Sequence, residues 1–239
     1  MLLKSNNSAE KQQLILSIFI PAIIGILMIL SYLLEHGMNW DFHSAGIYPR
    51  RLENIWGIFT IIFVHSDLEH LSNNVVSFLL LGSSLFFFYR QIAIKILINS
   101  YIFSGIILWI IGRENWHIGA SGLIYSLAFF LFFSGVFRRN TSLIAISLTI
   151  AFLYGSMIWH LFPWQLQDPI SWEGHLAGGI VGLVLSFLYR KQGPQKEIVE
   201  WDENNEDNEV AEDKEDIEGN EVAEDKEENE EKVDETQKV

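Results

Sequence analysis

Residues 119–137 read GASGLIYSLAFFLFFSGVF, nineteen positions without a charge, closed by Arg138 and Arg139. Crossing about 30 Å of hydrocarbon takes roughly 20 apolar residues, so this run is long enough to span a membrane as a helix. A serine, Ser121, stands at its head between Gly119 and Gly122. A second uncharged run, His175 to Tyr189, opens on a histidine. Polar groups of this kind are expensive at membrane depth and mark function there.

Working outward, further apolar runs cover Leu14–Leu34, Leu71–Tyr89, Ile92–Ile111 (with Lys95 near its start) and Leu143–Phe162. With Ile118–Phe137 and His175–Tyr189 they predict six spans, an all-α polytopic membrane protein over residues 14–192. Leu14–Leu34 is too long for a signal-peptide core and no A-x-A-like site follows, so it is expected to stay as an anchor. A cytoplasmic N-terminus of residues 1–13 puts nine basic residues on inside segments and three (Arg50, Arg51, Arg113) outside. That asymmetry predicts both termini in the cytoplasm. The outer segment of about 35–69 mixes Trp40, Phe42, Tyr48, Trp56 and Phe59 with charges, a pattern of structure lying in the headgroup region.

The net charge of −14 belongs to one end of the chain. Residues 1–200 carry 12 Lys/Arg and 11 Asp/Glu, whereas 201–239 carry 4 and 19. NEVAEDKE at 208–215 recurs at 220–227. Such low apolar content and high charge predict a disordered acidic tail over 193–239. A chain without cysteine has no disulfide or thiolate metal site, and no basic nucleic-acid surface is present.

Helical rise turns sequence position into depth. Ser121 stands about 25 Å above Arg138, His175 about 22 Å above Arg190 and Asn74 about 24 Å above Arg90, at 1.5 Å per residue. Three helices thus bring polar groups to one level near the outer surface. His70, at about 30 Å, is spaced i, i+4 from Asn74 and shares its helix face. A serine hydroxyl becomes a nucleophile when a base takes its proton, and His175 is the base at hand. His70, the Asn74 amide and the Ser121 backbone N–H are candidate oxyanion donors. No Asp or Glu lies inside a predicted span, so a Ser–His dyad without a buried carboxylate is expected. His117 and His160 are expected to be interfacial or hydrogen-bonding residues.

These residues resemble the rhomboid family of intramembrane serine proteases. Gly119-Ala120-Ser121-Gly122 matches its G-x-S-G, His70-Leu-Ser-Asn-Asn74 its H-x-x-x-N, and His175-Leu-Ala-Gly178 with Gly182 its H-x-x-G-x-x-x-G, in order and on the second, fourth and sixth spans. His65 matches a position that shapes the loop, and Tyr125 the tyrosine packed on the catalytic histidine. Tyr48-Pro-Arg50-Arg51 stands where many bacterial members carry a Trp-Arg pair. The resemblance implies a six-helix bundle with a cavity opening outward in a bacterial inner membrane, and an endopeptidase that needs neither cofactor nor metal. Its expected substrates are single-span membrane proteins cut near the outer surface at small residues. Gly178 and Gly182 would let the sixth helix approach the fourth. A catalytically silent relative that binds membrane clients is the competing expectation, though such relatives lack the serine or histidine. A transporter would place acidic residues at the midplane, and H-E-x-x-H and paired intramembrane aspartates are absent.

Overall fold

The computed structural model describes residues 2–162 and 171–195, with side chains from Lys11 onward. The acidic repeat, and the disorder expected of it, lie outside the described residues.

Among these residues the chain forms six α-helices: α1 (Leu2–Met38), α2 (Leu68–Phe88), α3 (Ala93–Ile111), α4 (Ser121–Arg138), α5 (Thr141–Tyr154) and α6 (Trp172–Leu188). Stretches of α1 to α4, and α5 with the 3-10 turns that follow it, are long and apolar enough to cross a membrane. The apolar α6 is shorter, at 17 residues. The protein is a multi-pass membrane protein. Its lipid-facing surface is carried by exposed apolar side chains such as Phe19 and Ile26 on α1, Phe152 on α5 and Phe187 on α6. Helices suit this setting because each satisfies its own backbone polar groups where no water can.

Helix ends follow from local chemistry. Asp67 caps α2 by accepting the His70 N–H at 2.8 Å, Asn140 caps α5 through Leu143 N–H at 3.2 Å, and Ser171 caps α6 through Gly174 N–H at 3.2 Å. The N-cap residue of α4 is Ala120, whose side chain has no atom to cap the first amides. The run expected as one helix from Leu143 to Phe162 is divided. Its α-helical part ends at Tyr154 and Gly155–Leu161 continues as tighter 3-10 turns.

Helix α4 lies at the centre, packed on α6, α5, α2 and α3. Its contact with α6 is backbone to backbone. A Cβ on Gly178 would run into the Gly122 carbonyl, and one on Gly182 into the Ser126 carbonyl. Small residues are what allow helix backbones to approach this closely in lipid, where burial of apolar surface gives no net drive.

The outer segment between α1 and α2 is built of 3-10 turns at His43–Ala45, Leu52–Phe59 and Ile61–Phe63. It is stitched to the α3–α4 loop. Ile47 and His117 exchange both backbone hydrogen bonds at 2.9 Å, and Arg50 donates to the Gly112 carbonyl at 2.6 Å. The departure at Tyr48–Arg51 is therefore accommodated by new ties. Arg51 lies over the Tyr48 ring at 4.0 Å, and Trp109 Nε1–H donates to the Arg51 carbonyl at 3.2 Å.

At the C-terminal end of α4, buried Arg138 donates to three carbonyls beyond α6. They are Tyr189 at 2.7 Å, Gln192 at 2.6 Å and Pro194 at 3.0 Å. Its Nε–H reaches Ser134 Oγ at 2.8 Å. This guanidinium fixes the chain where it leaves the membrane.

Candidate active site

Ser121 is the first residue of α4, partly accessible, at the wall of a cavity of about 20 Å³. That is room for one water or a small side chain. The cavity is also lined by Gly119, Tyr101, Ser104, His117 and Ser171. Of these, Tyr101 and Ser104 carry buried hydroxyls that meet no hydrogen-bond partner among the described residues.

Ser121 and His175 stand on neighbouring helices, at the starts of α4 and α6. A Cβ built on Gly122 would lie 3.2 Å from the Gly174 carbonyl, so the first turns of α4 and α6 touch. One turn below Ser121, the Tyr125 ring stacks on His175 with centroids 4.2 Å apart and planes 7° from parallel. Tyr125 in turn donates its hydroxyl to the Met157 carbonyl at 2.9 Å.

The tautomer of His175 follows from its partner. Its Nδ1 lies 3.0 Å from the His160 carbonyl oxygen, which can only accept, so Nδ1 carries the hydrogen. In the neutral ring Nε2 then keeps its lone pair. A backbone carbonyl from the 3-10 segment thus orients the imidazole, a role that sequence motifs do not reveal.

His70 and Asn74 gather on the other side of Gly119. Gly119 has φ +99°, a left-handed conformation that glycine adopts freely, and a Cβ there would fall 2.5 Å from His70 Nε2 and 3.6 Å from Asn74 Nδ2. Only glycine leaves this space open. Asn74, 5% exposed, donates one amide hydrogen to the His70 carbonyl at 2.9 Å and retains the other. His70 Nδ1 meets Ser66 Oγ at 3.2 Å, and Ser66 donates its single hydrogen to Asp67 at 2.6 Å. His70 is therefore the donor to Ser66. The Ser66 bond, with the His70 backbone amide next, holds the Asp67 carboxyl below its ordinary range.

His65 stands behind His70, ring centroids 5.1 Å apart and edge to face. Burial pushes its pKa from 6.5 down to about 4, helped by the neighbouring His70 and opposed by Asp67 and the Phe63 backbone.

A buried carboxylate, Glu173, lies two residues before His175, just outside the predicted span. The predicted span begins at His175, but α6 begins at Trp172 and draws Glu173 inside. It is 2% exposed. The carboxylate turns away from His175 to Arg113, accepting its backbone N–H at 3.3 Å and pairing with its guanidinium at 3.5 Å. No group of three His, Cys, Asp or Glu among the described residues is placed to hold a metal ion.

The rhomboid domain model matches residues 52–192, which include all of these positions. The chain belongs to the rhomboid family. Its relatives include an uncharacterized protein of Mycobacterium bovis, identical at 33% over 150 residues, covering 60% of this chain and 62% of that one. An uncharacterized Mycobacterium tuberculosis protein matches with the same figures. One from Mycobacterium leprae is 29% identical over 175 residues, 70% of this chain and 67% of its own. The alignment thus spans about 62% of the length of the first two relatives. In this rhomboid His70 and Asn74 of α2 stand beside Gly119, and Tyr125 of α4 stacks on His175 of α6.

Proposed function

We propose that this rhomboid is an intramembrane serine endopeptidase that cuts single-span membrane proteins near the outer face of a bacterial inner membrane, with both its termini in the cytoplasm. The observation that carries the reading is the tautomer of His175. With Nδ1–H held by the His160 carbonyl, Nε2 is free to act as a base toward the helix that begins at Ser121.

In this reading Ser121 Oγ attacks the substrate carbonyl and its proton passes to His175 Nε2. The carbonyl oxygen becomes an oxyanion, met by the Ser121 backbone N–H at the uncapped start of α4 and by the second amide hydrogen of Asn74. As negative charge develops, His70, whose Nδ1–H Ser66 already accepts, takes up a proton from solvent water on Nε2 and so becomes a third donor. The imidazolium of His175 returns its proton to the leaving amine, and an acyl-enzyme on Ser121 remains. Water attacks this ester with His175 again as base, releasing the product acid and restoring the serine. The cavity of about 20 Å³ beside Ser121 suits a small substrate side chain.

The reading is tested by labelling detergent-solubilised protein with a fluorophosphonate probe, beside cleavage of a single-span reporter substrate. Wild type should label and cleave, and Ser121→Ala and His175→Ala should do neither. A folded wild type that neither labels nor cleaves would instead establish a silent, client-binding rhomboid.

A further inference from the structure

Two networks join the start of α6 to the α3–α4 loop, the loop that leads directly into Ser121. The first is ionic. Glu173 is a buried carboxylate in a membrane domain, and a buried charge is costly unless paired and hydrogen-bonded. Its Oε1 takes both the backbone N–H and the guanidinium of Arg113, while Oε2 meets no donor among the described residues. A helix packed by small residues alone would not need such a group.

The second network is a chain of hydrogen bonds whose direction is fixed. His117 Nε2 lies 3.1 Å from the Arg113 carbonyl, an acceptor, so Nε2 bears the hydrogen. In the neutral ring Nδ1 is then an acceptor, and Ser171 donates its hydroxyl to it at 2.6 Å. The same oxygen accepts the Gly174 N–H at 3.2 Å, closing the first turn of α6. His117 is itself immobilised, since its N–H and C=O both pair with Ile47. The cap of α6 is therefore tied through one imidazole to two outer loops.

We propose that Glu173, Ser171 and His117 are positioning residues that hold the first turn of α6, and with it His175, in register with Ser121. They touch neither the bond to be cut nor the proton in transit. An ordinary helix cap would affect stability alone. Here the capping residue, Ser171, lies four positions before the base, and its partner His117 lies four before the nucleophile. Loosening by about an ångström costs on the order of 100-fold in rate.

The inference rests on the protease reading for its kinetic arm and is independent of it for its structural arm. The experiment compares wild type with Glu173→Ala, Glu173→Gln, Ser171→Ala and Ser171→Thr. It measures kcat and KM on the reporter, and hydrogen exchange of the Gly174 and His175 amides in the full-length detergent-solubilised protein. Expected are a fall in kcat of ten- to a hundredfold for both alanine variants with KM within about twofold, and faster exchange in the first turn of α6. Ser171→Thr, which keeps the hydroxyl, and Glu173→Gln, which keeps an acceptor for Arg113, should recover most of both. Alanine variants that keep wild-type kcat and wild-type exchange would overturn the inference. So would a uniform rise in exchange along the whole chain, or a threonine variant as impaired as the alanine one. If Glu173→Ala fails to fold, the Ser171 pair decides. If wild type itself does not cleave, the protease reading falls and the exchange arm still decides whether the clamp exists.

Discussion

The imidazole of His175 lies flat against the Tyr125 ring, 4.2 Å between centroids, while the Tyr125 hydroxyl is anchored to the Met157 carbonyl at 2.9 Å. The aromatic face and the hydroxyl thus do separate jobs. Tyr125→Phe keeps the face and should retain most cleavage, losing about 1 kcal/mol of stability for the missing hydrogen bond. Tyr125→Leu removes the flat support, and kcat should fall on the order of tenfold or more. Steady-state kinetics with thermal unfolding in detergent separates the two effects. Equal kcat in both variants would argue against ring support.

Gly119→Ala is expected to be more damaging than its size suggests. The left-handed backbone strains any side chain there, at more than about 1 kcal/mol, and the new methyl would meet His70 Nε2. Cleavage should drop on the order of 100-fold. A variant with near-normal activity would show that His70 does not need its present position.

Arg138 makes a prediction about stability with no part in chemistry. Arg138→Ala strips donors from three carbonyls and a serine, and should cost at least about 2 kcal/mol. Arg138→Lys should recover only part, because an ammonium cannot reproduce the planar fork. Thermal unfolding of both variants checks this, and full recovery by lysine would contradict it.

Acid should destabilise the fold through the outer histidines. Burial holds His65 down from 6.5 to about 4, and lowers His117 in the same way against the pull of the Arg113 backbone and Glu173. Between about 6.5 and 4 the unfolded chain binds protons that the folded chain refuses, so stability falls as pH drops through that window and is unaffected above it. Melting temperature measured from pH 7 to pH 4 should show this slope, and His65→Phe should flatten it. Equal slopes in both would assign the effect to other groups.

The shared face of His70 and Asn74 beside Gly119, and the close approach of α6 to α4 at Gly178 and Gly182, were legible because helices turn spacing into geometry. Residues four apart share a face, and equal distances from basic floors give equal depth. What stayed hidden lies at helix ends and in backbone. Glu173 precedes the uncharged run, so counting hydropathy placed it outside the helix that buries it. The His160 carbonyl has no side-chain signature at all. The change to 3-10 turns after Tyr154 left no proline to announce it. The aromatic composition of the segment between α1 and α2 held no sign of the pairing of Ile47 with His117 that fixes its path.

The bond from His175 to the His160 carbonyl has a temporal consequence. A hydrogen bond of 3.0 Å does not survive displacement of its acceptor by much more than half an ångström. Any outward swing of the Gly155–Leu161 segment therefore unlatches the imidazole in the same movement, so the orientation of His175 lasts only as long as that backbone stays in place.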